Sequence, residues 1–357
     1  YGCYTAGLTL LYKLTGIAPD KVDFIPAEYG FMTNNKAAID QAVINAVNKP
    51  YEITESTYKT ETAPDELKIL AIGNSFSVNG MEYLWNILDN VGVKNVTLGN
   101  LYIAGCTIDM HWKNITEDSD AYEYYKNTTG TWNSRTASLK TALLEEDWDI
   151  ITVQQGSPTS GVPSSFKNLD NLLDYVNSNK TNMDAKIFWH MTWAYQQDHV
   201  EQYFENYNCD QMTMYNAIVN TVQSEVIPKD LIKGVIPSGS TIQNMRTSYL
   251  GDTLTRDTTH LSKDFGCYAA GLTWMTAITG ISADKVTWVP SSYPVLSKNK
   301  DMIDEAVKNS IKSPFSVTNS TYTESPETPE LTGDAAILWE KGFDMNQYEP
   351  LDWEPTV

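Results

Sequence analysis

Four histidines in 357 residues leave few places for proton transfer near neutral pH. Only His260 has a carboxylate three residues before it, in Asp257-Thr258-Thr259-His260-Leu261-Ser262. A carboxylate three residues before an imidazole reaches it when the segment turns. It then sets the ring tautomer and stabilises the imidazolium that forms when the ring takes a proton. The group to be deprotonated is supplied by Gly73-Asn74-Ser75-Phe76-Ser77, directly after the apolar run LKILAIG (67–73). A serine in a tight turn between strand and helix holds its hydroxyl clear of the sheet. Its own N–H can face an incoming oxyanion. Singly, each signal has an ordinary reading: most such serines cap helices, and an Asp beside a His is common on surfaces.

Two further segments belong to the same chemistry. Gly105, in Ile103-Ala104-Gly105-Cys106, lets a backbone N–H approach a ligand closely. Gln154-Gln155-Gly156 ends an apolar run and offers a carboxamide to a developing negative charge. Alternation along a strand sends only one of the two glutamines toward the site. Gln155 is the expected donor, with Gln154 as the alternative. Asn74 and Gln154 are also expected to line the substrate site. Trp189, His190, Trp193 and Tyr195 cluster farther on, as an exposed stacking platform for sugar rings or as a packed core edge. Asn244 and Arg246 are placed in the cleft wall, and His111 beside it. The histidines are scattered without metal-ligand spacing, so neither metal nor cofactor is expected.

Positioning these residues needs a sheet. Strand patterns at 67–73, 96–105, 148–156, 185–191 and 231–237 alternate with helical patterns at 81–91, 138–146, 168–178, 212–226 and 267–279. Alternation of this kind implies βαβ units and a parallel sheet covered on both faces. Each chemical motif falls at or just beyond the carboxyl end of a strand, where such sheets bind ligands. The order Ser75, Gly105, Gln154-Gln155, then Asp257-x-x-His260 resembles the SGNH (GDSL-like) hydrolase superfamily over residues 67–279. Within it the chain looks closest to an uncharacterised group of bacterial, often gut-associated SGNH-like domains, echoed in Thr192-Trp193-Ala194-Tyr195 and Asp257–Ser262. The resemblance implies a flavodoxin-like three-layer α/β/α sandwich on a five-stranded parallel sheet. It also implies Ser75 as nucleophile, Asp257 and His260 as acid and base, and Gly105 as an oxyanion donor. The third block departs from the superfamily's usual Gly-x-Asn-Asp and is similar to the Gln-Gly pattern of some carbohydrate acetylesterases.

Comparison of the chain with itself sets the organisation. Residues 1–58 align without a gap to residues 265–322, with about 27 of 58 positions identical. YGCYTAGLTLLYKLTGIAPDKV matches FGCYAAGLTWMTAITGISADKV. Acidic Thr/Pro-rich stretches follow both copies. We therefore expect residues 1–62 to be the C-terminal remnant of an upstream repeat with its linker, 63–322 a hydrolase domain, and 323–357 an acidic linker or tail. His260 lies ahead of the repeated segment, so the first copy brings no catalytic residue. Its helix, freed from an upstream sheet, is expected to dock on its own domain or on neighbouring modules of the same chain, or to exchange with a neighbouring chain.

The net charge of −20 repels nucleic acid and anionic membrane surfaces. No apolar run reaches membrane-spanning length. Four cysteines without a C-x-x-C pair give no zinc or redox signature. Abundant Trp and Tyr fit an acylated carbohydrate as substrate and an extracellular or cell-surface setting. The expected activity is an esterase removing acetyl or similar acyl groups. The alternative is a non-catalytic carbohydrate-binding or adhesion module of the same fold. A lipase or thioesterase is disfavoured by the lack of an apolar lid segment.

Overall fold

The computed structural model describes residues 2–25, 36–52, 54, 63–200 and 202–325. The expected tail at 323–357 lies almost wholly outside the described residues, as does most of the linker ahead of residue 63. The chain divides into two compact units, Tyr1–Thr62 and Ala63–Val357.

In the larger unit one sheet carries the site. Its strands are β1 (Glu66–Gly73), β2 (Asn95–Tyr102), β3 (Tyr122–Asn127), β4 (Trp132–Ala137), β5 (Ile150–Val153), β6 (Lys186–His190) and β7 (Ile232–Ile236), in the order β4-β3-β2-β1-β5-β6-β7. β1 is central, and Ile69, Leu70, Ala71 and Ile72 are buried, as the all-apolar run requires when both faces are covered. β2, β1, β5, β6 and β7 run parallel. The sheet nevertheless corrects the five-stranded expectation. The hairpin β3–β4 adds two antiparallel strands outside β2, giving a mixed sheet of seven. That hairpin has its own local cause. Tyr122 and Tyr124 point inward around an exposed Glu123. The turn is tied by Asn127, whose Oδ1 accepts the N–H groups of Thr129 and Gly130, with Gly130 at φ +84°.

One helical layer holds α3 (Ser75–Met81), α4 (Leu84–Asn90), α9 (Ser238–Arg246), α10 (Phe265–Thr279) and α12 (Lys300–Lys312), with the single turn α11 (Val295–Lys298) leading into α12. The other holds α5 (Ile108–Thr116), α6 (Leu139–Glu145) and α7 (Leu169–Asn179). α8 (Gln211–Thr221) crosses between β6 and β7 and is prolonged by one π-turn. Side chains start the helices nearest the site: Asn74 caps α3 and Thr107 caps α5.

The smaller unit is a helical pair, α1 (Gly2–Thr15) and α2 (Lys36–Asn48), held by Leu8, Ile39 and Val43.

Candidate active site

Ser75 is the first residue of α3, at the carboxyl end of the strand about which the sheet order switches. Asn74 precedes it with extended backbone. Its Oδ1 accepts the Phe76 N–H at 2.9 Å, and its Nδ2 donates to the Cys106 carbonyl at 3.0 Å. This one buried side chain thus fixes both the serine turn and the loop after β2. Gly73 is required by crowding, since a Cβ there would lie 2.6 Å from Ser77 Oγ and 3.0 Å from Gln154 Cδ. Gly105 is required by its backbone, at φ +62°. Neither the Ser75 nor the Gly105 N–H has a hydrogen-bond partner among the described residues.

The segment after α9 brings Asp257 and His260 back to Ser75. Thr255 bridges Leu261 in antiparallel fashion, and the Leu261 N–H donates to Asn79 Oδ1 of α3. Between these anchors Thr258 takes φ +66° and the chain turns sharply. Asp257 Oδ1 accepts the His260 N–H at 2.6 Å, and Oδ2 meets His260 Nδ1 at 2.8 Å. His260 Nε2 lies 2.8 Å from Ser75 Oγ. Partial burial raises the Asp257 carboxyl. The hydrogen bonds from the His260 backbone and ring and from Thr259 outweigh it and bring the group down to about 2. Asp257 is therefore an anion throughout the neutral range. An ionised carboxylate on Nδ1–H leaves Nε2 of the neutral ring to accept the serine proton.

Beneath these groups runs a buried chain of polar side chains. Ser238 Oγ contacts His190 Nε2 at 3.0 Å, and His190 Nδ1 contacts Gln154 Oε1 at 2.8 Å. Gln154 Nε2 donates to Asn74 Oδ1 at 2.7 Å. Since the Gln154 amide donates at one end, its oxygen accepts at the other. His190 must then carry its proton on Nδ1 and accept from Ser238. Burial holds His190 down to about 3, so it stays neutral and keeps that tautomer.

The serine–histidine pair opens on a cavity of about 680 Å³. Tyr102, Tyr195 and Tyr203 stand on its walls, with Ser157, His199, Val200 and Gln202 between them. No Lys, Arg, Asp or Glu is among its described lining residues.

The structure brings together Ser75, Gly105, Gln154, Asn74, Asp257 and His260. It places several other expected residues elsewhere. Gln155 turns away: Oε1 accepts the N–H groups of Ile108 and Gly156, and Nε2 donates to Ser165. It holds loops together, while Gln154 is the one of the two that reaches Asn74. Trp189, His190 and Trp193 are at most 2% exposed, so there is no platform there. Trp193 instead stacks on Phe76 at 4.2 Å and donates its indole N–H to the Thr259 carbonyl, bracing both halves of the site from below. Tyr195 reaches the cavity wall and pairs with Ser157. Asn244 holds Ala306 and Thr318 of the C-terminal layer. Arg246 is buried on Asp252, Gln243 and the Ala194 carbonyl. His111 is buried against Tyr122 and Cys106. Apolar and polar-paired surroundings keep all three out of the cleft.

Sequence reasoning missed Tyr102, His199, Val200 and Tyr203. All but Tyr102 lie in the irregular stretch after β6, where neither helical nor strand period occurs. The one signal was a run of aromatic and amide residues, HVEQYFENYNCD (199–210).

Residues 68–310 match the family DUF4886, described as a domain of unknown function, and the chain belongs to that family. A crystal structure of a DUF4886 protein from Bacteroides uniformis is 36% identical, with a TM-score of 0.69, over 73% of this chain and all of that one. A Slackia heliotrinireducens protein, provisionally described as an SGNH hydrolase, is 15% identical with a TM-score of 0.39, over 60% of this chain and 99% of that one. The acetyl xylan esterase AlAXEase is 13% identical with a TM-score of 0.37, over 59% and 99%. The last two are distant and add nothing to the family assignment. No curated protein matches the sequence.

Proposed function

We propose that this DUF4886 domain is a serine esterase of the SGNH type that removes acetyl or similar acyl groups from carbohydrate. The observation that carries the reading is the unbroken line Ser75 Oγ, His260, Asp257, with both contacts at 2.8 Å, at the floor of an open cavity. Ser75 Oγ attacks the ester carbonyl while His260 Nε2 takes its proton. The N–H groups of Ser75 and Gly105, with the second amide N–H of Gln154, face the oxyanion. The C–O bond to the sugar breaks, and His260 returns the proton to the departing alkoxide. Water, deprotonated by His260, then attacks the acyl-enzyme; the bond from the acyl carbon to Ser75 Oγ breaks, His260 returns the proton to Oγ, and the acid is released. Asp257 holds the ring throughout and stays ionised.

Three features support a neutral, polar substrate. The described cavity wall has no charged side chain, its tyrosines combine ring faces with hydroxyls, and the cavity is open. The protein's strong negative charge is adverse to anionic substrates. An extracellular or cell-surface setting, where acylated polysaccharide is met, belongs to the same reading.

The test is hydrolysis of p-nitrophenyl acetate and of acetylated oligosaccharides by wild type and Ser75→Ala. Ser75 sits at a helix start, so the variant should fold and melt as wild type does. Turnover should vanish. Equal turnover in both proteins refutes the assignment. Glycan binding without hydrolysis in either would replace it with a binding module.

A further inference from the structure

The repeat leaves a surface uncovered, and the same chain shows what covers it. An offset of 264 residues carries α1 onto α10 to within one residue at its start, and α2 onto α12 at both ends. The internal bonds match as well. Lys36 Nζ bonds the Pro19 carbonyl and Asp40, as Lys300 bonds the Ala283 carbonyl and Asp304. Tyr4 OH donates to the Phe24 carbonyl at 2.6 Å, and Tyr268 OH to Trp288 at 2.6 Å. Leu8, Ile39 and Val43 are buried between the two helices of the smaller unit, as Leu272, Ile303 and Val307 are in the larger one.

The outer faces differ. In the larger unit Cys267, Ala270, Gly271 and Trp274 are fully buried against the α/β body. A Cβ at Gly271 would lie 2.9 Å from Ile87 Cδ1, and one at Gly80 of the body would lie 2.5 Å from Trp274 Nε1. Their counterparts Cys3, Ala6, Gly7 and Leu10 are all exposed, Leu10 by 61%. Leu14 and Phe24 are exposed by 75% and 69%, and a Cβ at Gly7 meets nothing within 4 Å. Small residues at 6 and 7 beside Leu10 make a contour that fits close helix packing and has no purpose in water.

We propose that the outer face of α1 is the docking surface for the α/β body of a second module of this kind, equivalent to residues 63–264. Residues 1–58 close that body as residues 265–322 close the one seen here. In the larger unit the body precedes its closing pair, so the partner body belongs on the N-terminal side of α1.

The test joins a second copy of residues 63–264 ahead of Tyr1 in the full chain, so that residue 264 again runs into the closing pair. The readout is labelling of Cys3 by a thiol reagent, with buried Cys267 as the internal reference. In the 357-residue chain Cys3 should label freely. In the tandem chain it should slow at least 100-fold, toward the rate of Cys267. Gly7→Phe should restore fast labelling in the tandem and leave the single chain unchanged. Leu10 is smaller than Trp274, so Leu10→Trp serves as a second tandem in which the seat is filled. Cys3 labelling at the single-chain rate in both tandems overturns the proposal, whether or not the added body folds. Because thiol labelling needs no turnover, the result is independent of the esterase reading.

Discussion

Gln154 and Gln155 are adjacent, buried and chemically identical, yet their hydrogen-bond partners differ, and the proposed oxyanion role of Gln154 separates in kinetics from the loop-holding role of Gln155. Gln154→Ala removes the carboxamide whose Nε2 lies 2.7 Å from Asn74 Oδ1, beside the serine turn. Losing one preorganised oxyanion donor lowers kcat by about 100- to 1000-fold. KM should move little, because the donor acts on charge that appears only in the transition state. Gln155→Ala removes the acceptor for the Ile108 and Gly156 N–H groups, at 2.9 and 2.8 Å. Stranding two buried donors costs about 2–4 kcal/mol of stability. In a domain of this size that lowers Tm by roughly 5–15 °C. At 20 °C the folded enzyme should still turn over within a few-fold of wild type. The assay is saturation kinetics on p-nitrophenyl acetate at 20 °C, with a thermal melt of each variant. Gln154→Ala retaining wild-type kcat refutes the oxyanion assignment. A Gln155→Ala enzyme that melts normally but has lost kcat reverses the two roles.

Acid should weaken the fold before it touches Asp257. Burial holds His190 and His111 down to about 3, so between pH 6.5 and 3 the unfolded chain binds protons that the native one does not. Stability is full above pH 6.5 and falls below it, by about 2 kcal/mol per histidine at pH 5. Urea midpoints at pH 7 and pH 5 measure this, and His111→Phe should remove about half of the difference. An unchanged midpoint in the wild type counts against neutral burial of both rings. Arg246→Ala strips the partner from Asp252 and should cost about 3–5 kcal/mol, with KM unchanged for the protein that stays folded. A raised KM at full stability would return Arg246 to the cleft.

The parts of the site legible in the sequence were those with a local signature. Asp257 and His260 are three residues apart, and Ser75 and Gly105 each follow a strand at a turn. Their spacing survives folding because the turn itself makes the geometry. The choice between Gln154 and Gln155 was not legible, since it depends on which face of β5 meets Asn74 and His190, and no local pattern reports that. Trp189 and Trp193 misled for a related reason. An aromatic residue at a strand end reads alike whether a loop covers it or not, and here the segment carrying Thr259 does. The five parallel strands followed from apolar runs. The β3–β4 hairpin was missed because its partly exposed pattern of Tyr, Glu, Lys and Asn has no apolar run, although Asn127 and Gly130 marked its turn. The helix expected at 81–91 is α4, and the short α3 ahead of it was missed although Asn74 caps it immediately after β1.

The way His260 is seated sets a schedule for the molecule's birth. Gly266 at the start of α10 is pressed on the Leu254 carbonyl, where a Cβ would lie 2.5 Å away, and Cys267 N–H bonds the Ser262 carbonyl. The histidine segment is thus pinned by the first turn of a helix made after it. The ribosome builds Ser75 185 residues before its partner His260. At ordinary elongation rates that is a gap of roughly 10 to 40 seconds. Throughout that interval a nascent chain carries Ser75 without the segment that contacts it. The pair is completed late, with the helix that seals the fold, so a chain released early from translation carries Ser75 without its His260 partner.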